Sequence, residues 1–353
     1  MQVATPSASA RRVPLSIEPM EARLVEQLPQ EGRWQFEPKW DGFRCLGFRL
    51  RNRVELRAKS GKSLSRYFPE IVDLLRGLRG GDFVLDGELV VPVGTQLCFD
   101  ALQQRLHPAA SRVRRLAHET PATYVVFDCL LDGTGTALLG APLAARRLAL
   151  ERLLKRLGAR ERLRLSPRTL NRKVAQRWLA RSGGALDGVV AKSLDGAYLP
   201  GKRAMLKVKR LRTADCVVGG FRYASAGGTV GSLLLGLYDS QGKLNHVGFT
   251  SSMKRAERAQ LTGRLESLIE PPGFTGRSPG APSRWSTLRS SEWQPLRPEL
   301  VVEVCYDHVT ENRFRHGTKL LRWRADKAPR QCTLAQLAPE ARPRKLAALL
   351  GRR

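Results

Sequence analysis

The sequence contains few cysteines, and none of them is paired at short spacing. The six cysteines are scattered through 353 residues without a CxxC string: Cys45, Cys98, Cys129, Cys216, Cys305 and Cys332. Structural zinc sites use closely spaced cysteine and histidine ligands, and disulfide frameworks use many cysteines in a short chain. The pattern therefore indicates neither kind of site, and reduced thiols are the simplest account.

The sequence also lacks a long apolar run. No stretch approaches the roughly 20 apolar residues that a membrane-spanning helix needs. The start, MQVATPSASARRVP, has no apolar signal core. We therefore expect a soluble protein of the cytoplasm.

Acidic residues are scarce relative to basic ones. The 32 Asp and Glu residues face 61 Lys and Arg residues, which gives a net charge of +29. So much positive charge repels itself unless phosphates lie against it, so the partner predicted by composition is a polyanion, with nucleic acid first. Arginine richness that reflects genome composition alone is the alternative.

The length and the pattern along the chain predict two domains. Strand-like runs such as RVELRAK, TYVVFDCLL and LDGVVAKS mix irregularly with helical patterns such as PLAARRLALERLLKRL. This mixture favours an α+β fold with largely antiparallel sheet. A glycine-punctuated, strand-rich region follows and resembles a small β-barrel. We expect a flexible lead-in over 1–14, a first domain over 15–212, a barrel over 213–335 and a basic tail over 336–353.

The stretch FEPKWDGFRCL contains a lysine, Lys39, with acids on both sides. A lysine attacks as a nucleophile only after losing its proton, and its reference pKa of about 10.4 makes that rare at neutral pH without desolvation or neighbouring cations. Phe36, Trp40 and Phe43 are placed to desolvate it. By itself, the short string is typical of an ordinary turn.

Later strings change that interpretation. LDGELVV carries Asp86 and Glu88, LDGVVAK carries Asp187 and Lys192, and MLKVK carries Lys207 and Lys209 on one face of a strand. Carboxylates at strand ends can hold a divalent ion, and alternating lysines can face a phosphate chain. Each string alone is commonly a turn or a solvated face, but together they predict a site for a metal-bound nucleoside triphosphate.

These strings, in this order, resemble those of the covalent nucleotidyltransferases, and most closely those of the small two-domain bacterial ATP-dependent DNA ligases of the C type. The resemblance runs from about Leu15 to about Thr333. It implies an adenylation (nucleotidyltransferase) domain followed by an OB-fold domain. It also implies a monomeric, bacterial, nucleoid-associated protein that acts on nicked double-stranded DNA in repair, with a repair polymerase or another repair protein as a possible partner.

The resemblance assigns a role to each matching residue of the first domain. Lys39 would be the catalytic nucleophile that accepts AMP from ATP, the co-substrate. Glu88 and Asp187 would hold Mg²⁺ or Mn²⁺. The residues expected to bind ATP or AMP are Glu37, Asp41, Gly42, Arg44, Lys59, Glu88, Phe127, Lys207 and Lys209. Among these, Phe127 would stack on adenine and the two lysines would grip the α-phosphate.

In the second domain, LLRWRADKAP resembles the last family motif. Its Arg322, Arg324, Asp326 and Lys327 would meet the β- and γ-phosphates when the OB domain closes.

Two positions of the first domain depart from the family. Lys59 stands where an arginine is usual, which replaces a planar fork with a point charge, and Asp187 stands where glutamate is usual.

Three functional hypotheses remain at this point. The first is nick sealing in DNA through a lysine–AMP and a DNA–adenylate intermediate. The second is a relative with the same lysine chemistry, an RNA ligase or a capping-type nucleotidyltransferase. The third is a non-catalytic nucleic-acid-binding protein on a decayed ligase fold. Labelled ATP followed by nicked DNA or nicked RNA distinguishes the three.

Overall fold

The structure is a computed structural model that describes residues 13–337 except 52, 95, 159–160, 181–185, 226 and 281–291. The predicted lead-in therefore lies almost entirely outside the described residues, as does most of the predicted C-terminal tail. The chain divides between Arg210 and Leu211 into two compact units. The predicted α+β class is confirmed.

Among its described residues, the first unit has two larger sheets and a two-stranded β6–β7 sheet. A five-stranded sheet has the order β4-β3-β5-β8-β9, and a four-stranded sheet has the order β1-β11-β10-β2. Most neighbours pair antiparallel; β8 with β9 and β1 with β11 are parallel. The strands are β1 Ala22–Leu24, β2 Trp34–Trp40, β3 Phe43–Leu50, β4 Arg53–Ala58, β5 Phe83–Val90, β6 Pro92–Val93, β7 Gln96–Leu97, β8 Thr123–Asp132, β9 Leu163–Leu165, β10 Leu186–Ser193 and β11 Met205–Val208.

Helices pack on both sheets. They are α1 Pro69–Arg76, α2 Phe99–Gln104, α3 Ala110–Glu119, α4 Leu143–Leu157 and α5 Arg172–Ala180, with a 3₁₀ turn over Ser65–Tyr67. Among them, α1 and α4 pack on the five-stranded sheet, and α5 packs on β2 and β10 of the four-stranded sheet. The buried leucines of α4, Leu150, Leu153 and Leu157, recur at the helical period and pack in the same core as β8. The string RKVAQRWLARSGG predicts a helix that ends at the pair Gly183 and Gly184, and this pair lies outside the described residues.

Tyr124 of β8 packs against two glycines in the core of the five-stranded sheet, which sets the distance between the neighbouring strands. The buried Tyr124 hydroxyl accepts a hydrogen bond from the Gly47 backbone N–H (3.0 Å) and is 2.8 Å from the Leu85 carbonyl. A side chain at Gly47 or Gly87 would collide with the Tyr124 ring. This packing positions β3 and β5, which carry the charged residues described below.

The second unit is an OB-fold of strands with one α-helix among its described residues. Its main sheet has the order β14-β13-β12-β16-β19, with β15 paired to β12. Its elements are β12 Arg212–Tyr223, β13 Val230–Tyr238, β14 Leu244–Thr250, α6 Arg258–Glu266, β15 Gln294–Pro295, β16 Val301–Tyr306, β17 Val309–Thr310, β18 Arg313–Phe314 and β19 Lys319–Trp323, with 3₁₀ turns over Arg255–Glu257, Pro329–Gln331 and Leu334–Leu337.

One element of this unit is shorter than its sequence pattern indicates. The apolar periodicity of RAERAQLTGRLESLIE predicts a helix through Glu270, but α6 ends at Glu266. Ile269 instead forms an antiparallel bridge with Leu296, and the Glu270 N–H donates to the Pro295 carbonyl. Pairing with the β15 segment therefore overrides the helical pattern in the last turn. Among the described helices, none is long and apolar enough to cross a membrane.

Candidate active site

The turn between β2 and β3 places the central residues of the candidate site. Lys39 lies on β2 and Arg44 on β3, with Asp41 and Gly42 between these strands. A Cβ on Gly42 would overlap the Leu89 carbonyl oxygen and approach the Glu88 side chain. Glycine therefore lets the turn lie directly against β5, beside Glu88.

Lys39 is held by a carboxylate from the neighbouring strand. β2 pairs antiparallel with β10, and Lys39 lies opposite Gly188 at an irregularity in the register. The Lys39 Nζ atom is 2.5 Å from Asp187 Oδ2, and the Lys209 Nζ atom is 3.1 Å from the same oxygen. The Asp187 side chain is 7% exposed, so both ion pairs are largely shielded from water. One carboxylate thus bridges the predicted nucleophile and a predicted phosphate-binding lysine.

Lys207 adds a third lysine to this cluster. It lies on β11 opposite Val190 of β10. Partial burial lowers the pKa of Lys207, and the positive charges of Lys39 and Lys209 lower it further, while Asp187 acts in the opposite direction. Burial and the accumulated positive charge together depress the pKa of Lys207, and a bound polyphosphate would relieve the charge repulsion.

Arg44 is clamped by a fully buried carboxylate. Its Nε and Nη2 atoms each lie 2.6 Å from an oxygen of Asp86. The Tyr198 hydroxyl donates to Asp86 Oδ2 at 2.7 Å. Burial lowers the pKa of Arg44, but Asp86 outweighs that effect and holds the pKa above its usual value. The sequence pattern singled out Asp86 without a role, and the structure shows it as the partner that orients Arg44.

A buried ion pair lies beside the predicted adenine-stacking ring. The Lys192 Nζ atom is 2.9 Å from Glu37 Oε2 and 4.3 Å from the centre of the Phe127 ring. Gln35 Nε2 donates to the other Glu37 oxygen at 2.6 Å. Arg44 also lies over Phe127, with Cζ 4.6 Å from the ring centre. Lys192 and Gln35 thus contact both oxygens of the Glu37 carboxylate, which holds these two side chains in place. Lys192 also lines the cleft, although sequence reasoning assigned it no role.

Glu88 lies on β5 opposite Arg44 of β3. Burial raises its pKa to about 7, because desolvation and the nearby Asp41 and Asp86 charges outweigh the attraction of Lys39 and Arg44. A carboxyl group that titrates near neutral pH inside a cleft is typical of a functional site.

These side chains line one cleft with a volume of about 200 Å³. Met20 and Val190 provide apolar wall, and seven of the predicted site residues line the cleft: Glu37, Lys39, Arg44, Lys59, Glu88, Phe127 and Lys207. Asp187 and Lys209 do not line the cleft; Asp187 contacts the cleft residue Lys39, and Lys209 contacts Asp187. Gly42 lines a neighbouring cavity of about 740 Å³ that shares Arg44, Lys59 and Glu88 with the cleft.

Lys59 occupies the rim. Its Nζ atom is 3.0 Å from Glu21 Oε1, and the Arg203 Nε atom is 3.7 Å from the other Glu21 oxygen. The hydrogen bond from Lys59 lowers the pKa of Glu21. Lys59 is more than half exposed, so it can reorient toward a ligand without breaking a buried contact.

The predicted residues of the last motif lie in the second unit, where each of the three cations contacts a carboxylate. Arg322 Nε is 2.6 Å from Glu303 Oε2. Arg324 binds Asp326 through Nε and Nη2 and Asp215 through Nη1 (2.8 Å). Lys327 Nζ is 3.0 Å from Asp215 Oδ2. The hydrogen bond from Arg324 lowers the pKa of Asp326 to about 2. Sequence reasoning did not anticipate Asp215.

The carboxylates of the cleft provide hard oxygen donors of the kind that Mg²⁺ accepts. Within the described residues, no group of three or more His, Cys, Asp or Glu side chains is arranged to hold a metal. Magnesium at phosphate-transfer sites typically uses one or two carboxylates and completes its shell with water and substrate phosphates. Glu88 and Asp187 therefore fit such an ion, provided that Asp187 exchanges part of its contact with Lys39 and Lys209.

Comparison with known proteins agrees with this geometry. Residues 18–209 match the ATP dependent DNA ligase domain, and residues 226–327 match the ATP dependent DNA ligase C terminal region. The chain is 45% identical to DNA ligase C1 of Mycolicibacterium smegmatis, covering 91% of this chain and 93% of that protein. It is 42% identical to DNA ligase C of Mycobacterium tuberculosis, with the same two coverages.

A solved structure of a Lig E DNA ligase has the same fold. It aligns with a TM-score of 0.56 at 17% identity and covers 86% of this chain and 99% of that one. The family of this chain follows from the two matched domains and the full-length relatives: it belongs to the ATP-dependent DNA ligases.

Proposed function

We propose that this chain seals nicks in duplex DNA during repair, with ATP as co-substrate and Lys39 as the residue that carries AMP. One observation carries the proposal: Lys39 Nζ lies 2.5 Å from a shielded carboxylate oxygen in a cleft that also presents Glu88, Arg44 and Lys207. A partly buried lysine with an adjacent acceptor and surrounding phosphate-binding cations suits attack on a nucleotide phosphate.

The first step transfers AMP to the enzyme. Lys39 Nζ forms a bond to the α-phosphorus, the bond from that phosphorus to the bridging oxygen breaks, and pyrophosphate leaves. Lys39 must first lose a proton, and Asp187 Oδ2 is the acceptor in contact with it. The strand pairing that aligns Lys39 with Gly188 also fixes this contact, so the proton path depends on the β2–β10 register.

Positive charge around Lys39 serves the phosphates. Without ATP, the lysines of this cluster repel one another. When ATP binds, Lys207 and Lys209 are attracted to its phosphate oxygens, which offsets that repulsion. A bound Mg²⁺, held by Glu88 and Asp187, would further neutralise the triphosphate. The adenine base would stack on the Phe127 ring. Lys192 and Arg44 now lie over this ring, so their side chains would shift when adenine binds.

The later steps use the same cleft. An oxygen of the 5′-phosphate at the nick attacks the phosphorus of the Lys39 adduct, and the lysine nitrogen leaves. The 3′-hydroxyl then attacks the activated 5′-phosphate, and AMP leaves. Arg44, oriented by Asp86, is placed to bind the nick phosphate. Its bidentate clamp keeps the guanidinium in one orientation through both displacements.

The assignment of the last motif is also a proposal. Arg324 and Lys327 would bind the β- and γ-phosphates by exchanging Asp215 for phosphate oxygens. Arg322 would likewise exchange Glu303. Asp326 would keep Arg324 in position during that exchange, because it contacts a different edge of the guanidinium. We further propose that the chain acts as a monomer and cooperates with a repair polymerase or another repair protein.

A two-stage labelling experiment tests this function. Protein incubated with ATP labelled at the α-phosphate and a divalent ion should become covalently labelled. Addition of nicked duplex DNA should then move the label to the 5′-phosphate and afterwards release it as AMP with a sealed strand. Nicked RNA in parallel distinguishes an RNA ligase. Label that forms but passes to RNA and not to DNA would refute the DNA assignment, and absence of any label would refute the chemistry.

A further inference from the structure

A carboxylate lies among the cations at the rim of the cleft. Glu21 lines the cleft together with Lys59 and Lys207, two of the residues predicted to bind the nucleotide. Sequence reasoning assigned Glu21 no role. A negative charge at this place repels the phosphate groups that the surrounding lysines attract, so Glu21 acts against the affinity of its own cleft.

The backbone around Glu21 fixes the point from which its side chain extends. Glu21 directly precedes β1, and β1 pairs parallel with β11, the strand that carries Lys207. The Glu21 N–H donates to the Lys202 carbonyl at 2.8 Å, and the Met205 N–H donates to the Glu21 carbonyl at 3.1 Å. The main chain of Glu21 is therefore anchored to the four-stranded sheet, and a change of partner requires movement of its side chain only.

Lys59 meets Glu21 from the other sheet. It follows β4 in a tight turn, where the Gly61 N–H donates to the Ala58 carbonyl at 2.9 Å and Gly61 has a φ of 76°. A positive φ favours glycine, which keeps the turn closed. The Lys59 Nζ atom lies 3.0 Å from Glu21 Oε1. The ion pair therefore joins the turn after β4 of the five-stranded sheet to the start of β1 in the four-stranded sheet.

A second cation shares the Glu21 carboxylate. The Arg203 Nε atom lies 3.7 Å from Glu21 Oε2. The hydrogen bond from Lys59 lowers the pKa of Glu21, while partial burial acts in the opposite direction. The charges of Arg203 and Lys207 also lower this pKa. Glu21 is therefore an anion at neutral pH, and its charge offsets those of three neighbouring cations.

The Glu21–Lys59 pair is more exposed than the ion pairs deeper in the site. The side chains of Glu21 and Lys59 are 27% and 59% exposed. The carboxylates that hold Lys39 and Arg44 are 7% and 0% exposed. Water screens an exposed ion pair and makes it weak, whereas a buried pair resists separation. The contact between Glu21 and Lys59 can therefore be exchanged for another anion at little cost.

Phosphate is the anion best suited to this exchange. A phosphate monoester carries more charge and more acceptor oxygens than a carboxylate, so it binds ammonium and guanidinium groups more strongly. We propose that Glu21 determines how tightly the cleft binds substrate phosphate, because it pairs with Lys59 until a phosphate group displaces it. Anions that bind Lys59 no more strongly than a carboxylate does would not displace Glu21.

The displacing phosphate belongs either to the phosphate chain of ATP or to the 5′-end at a nick. This identification rests on the proposed nick-sealing function. The exchange itself requires only a phosphate group at the rim, so it can be measured with an inorganic probe.

Calorimetric titration with inorganic tripolyphosphate, without divalent ions, measures the exchange directly. Glu21→Gln keeps the size of the side chain and removes its charge, so the variant should bind tripolyphosphate about fivefold more tightly, as expected from loss of an exposed ion pair. A purely structural role of Glu21 would instead weaken binding or leave it unchanged. In a Lys59→Met background, Glu21→Gln should change the affinity by less than about twofold, because the competition requires Lys59.

Two nicked duplexes identify the source of the phosphate. One carries a 5′-phosphate at the nick and the other a 5′-hydroxyl, and binding is measured without divalent ions. If Glu21→Gln tightens binding of the first duplex about fivefold and leaves the second unchanged, the nick phosphate displaces Glu21. If Glu21→Gln tightens binding of tripolyphosphate alone, the phosphate chain of ATP does so. Either result supports the proposal.

Glu18→Gln is the matched control. Glu18 lies just before Glu21 in the same segment, is exposed and does not line the cleft. This variant removes the same charge and should bind both probes like the unaltered protein.

Three results would overturn the proposal: no tighter binding by Glu21→Gln with either probe, equal tightening by Glu18→Gln, or an undiminished effect in the Lys59→Met background. Thermal melting checks that each variant folds. AMP labelling of the unaltered protein, measured separately, tests the nick-sealing function and not this exchange.

Discussion

At the scale of single residues, the most informative contact is the clamp between Asp86 and Arg44. Asp86 is fully buried and uses both oxygens on Arg44, with the Tyr198 hydroxyl as a third partner. The string LDGELVV marks this aspartate, but a strand pattern alone does not tell which cation it meets. The cross-strand neighbour of Asp86 on β3 is Leu46, and Arg44 reaches Asp86 diagonally.

Asp86→Asn is expected to destabilise the fold by about 3 kcal/mol, because removing one partner of a buried ion pair leaves the other charge without compensation. Urea unfolding measures this loss. Asp73→Asn is the control, since the Asp73–Arg76 pair is exposed and such pairs contribute roughly 0–1 kcal/mol. Equal losses in the two variants would show that the clamp does not stabilise the fold.

Lys192 and Asp215 illustrate what sequence reasoning missed. Lys192 was visible in LDGVVAK, but its pairing with Glu37 depends on the register between β10 and β2, which places Lys192 opposite Gln35. Asp215 has no motif around it, and its partners Arg324 and Lys327 lie about a hundred residues later. Contacts of this kind arise from tertiary pairing, so local patterns do not reveal them.

At the scale of elements, the turn between β2 and β3 determines whether the site can form. The strand-like runs RVELRAK, TYVVFDCLL and LDGVVAKS correspond to β4, β8 and β10, since alternating and continuous apolar patterns identify strands well. The close approach of the turn to β5 was not predictable, because it depends on which strands become neighbours.

Gly42→Ala tests this approach. The added methyl group would overlap backbone of β5, so either the turn or β5 must shift. We expect a loss of about 3 kcal/mol, at the upper end for overpacking, together with slower AMP labelling, because Lys39 and Arg44 flank the turn. Calorimetry and a labelling time course measure the two effects. Gly140→Ala, where a Cβ meets open space, should leave both unchanged. Normal AMP labelling by a destabilised Gly42→Ala protein would show that the close approach of the turn to β5 is not needed to position Lys39.

At the scale of the whole molecule, composition and motif order predicted the α+β class and the family. The excess of basic residues, 61 against 32 acidic ones, predicted a polyanion partner, but it did not indicate where that partner binds. The structure separates basic residues that acids already neutralise, such as Arg324, from those that they do not, such as Arg313. This distinction needs coordinates, since both kinds look alike in sequence.

The most direct test of the central claim identifies the residue that carries AMP. Protein incubated with ATP and Mg²⁺ is digested, and mass spectrometry locates the adduct. The account predicts AMP on the peptide that contains Lys39, no covalent label on Lys39→Ala, and normal labelling of the exposed control Lys243→Ala. AMP on another lysine, or labelling that survives in Lys39→Ala, would contradict it.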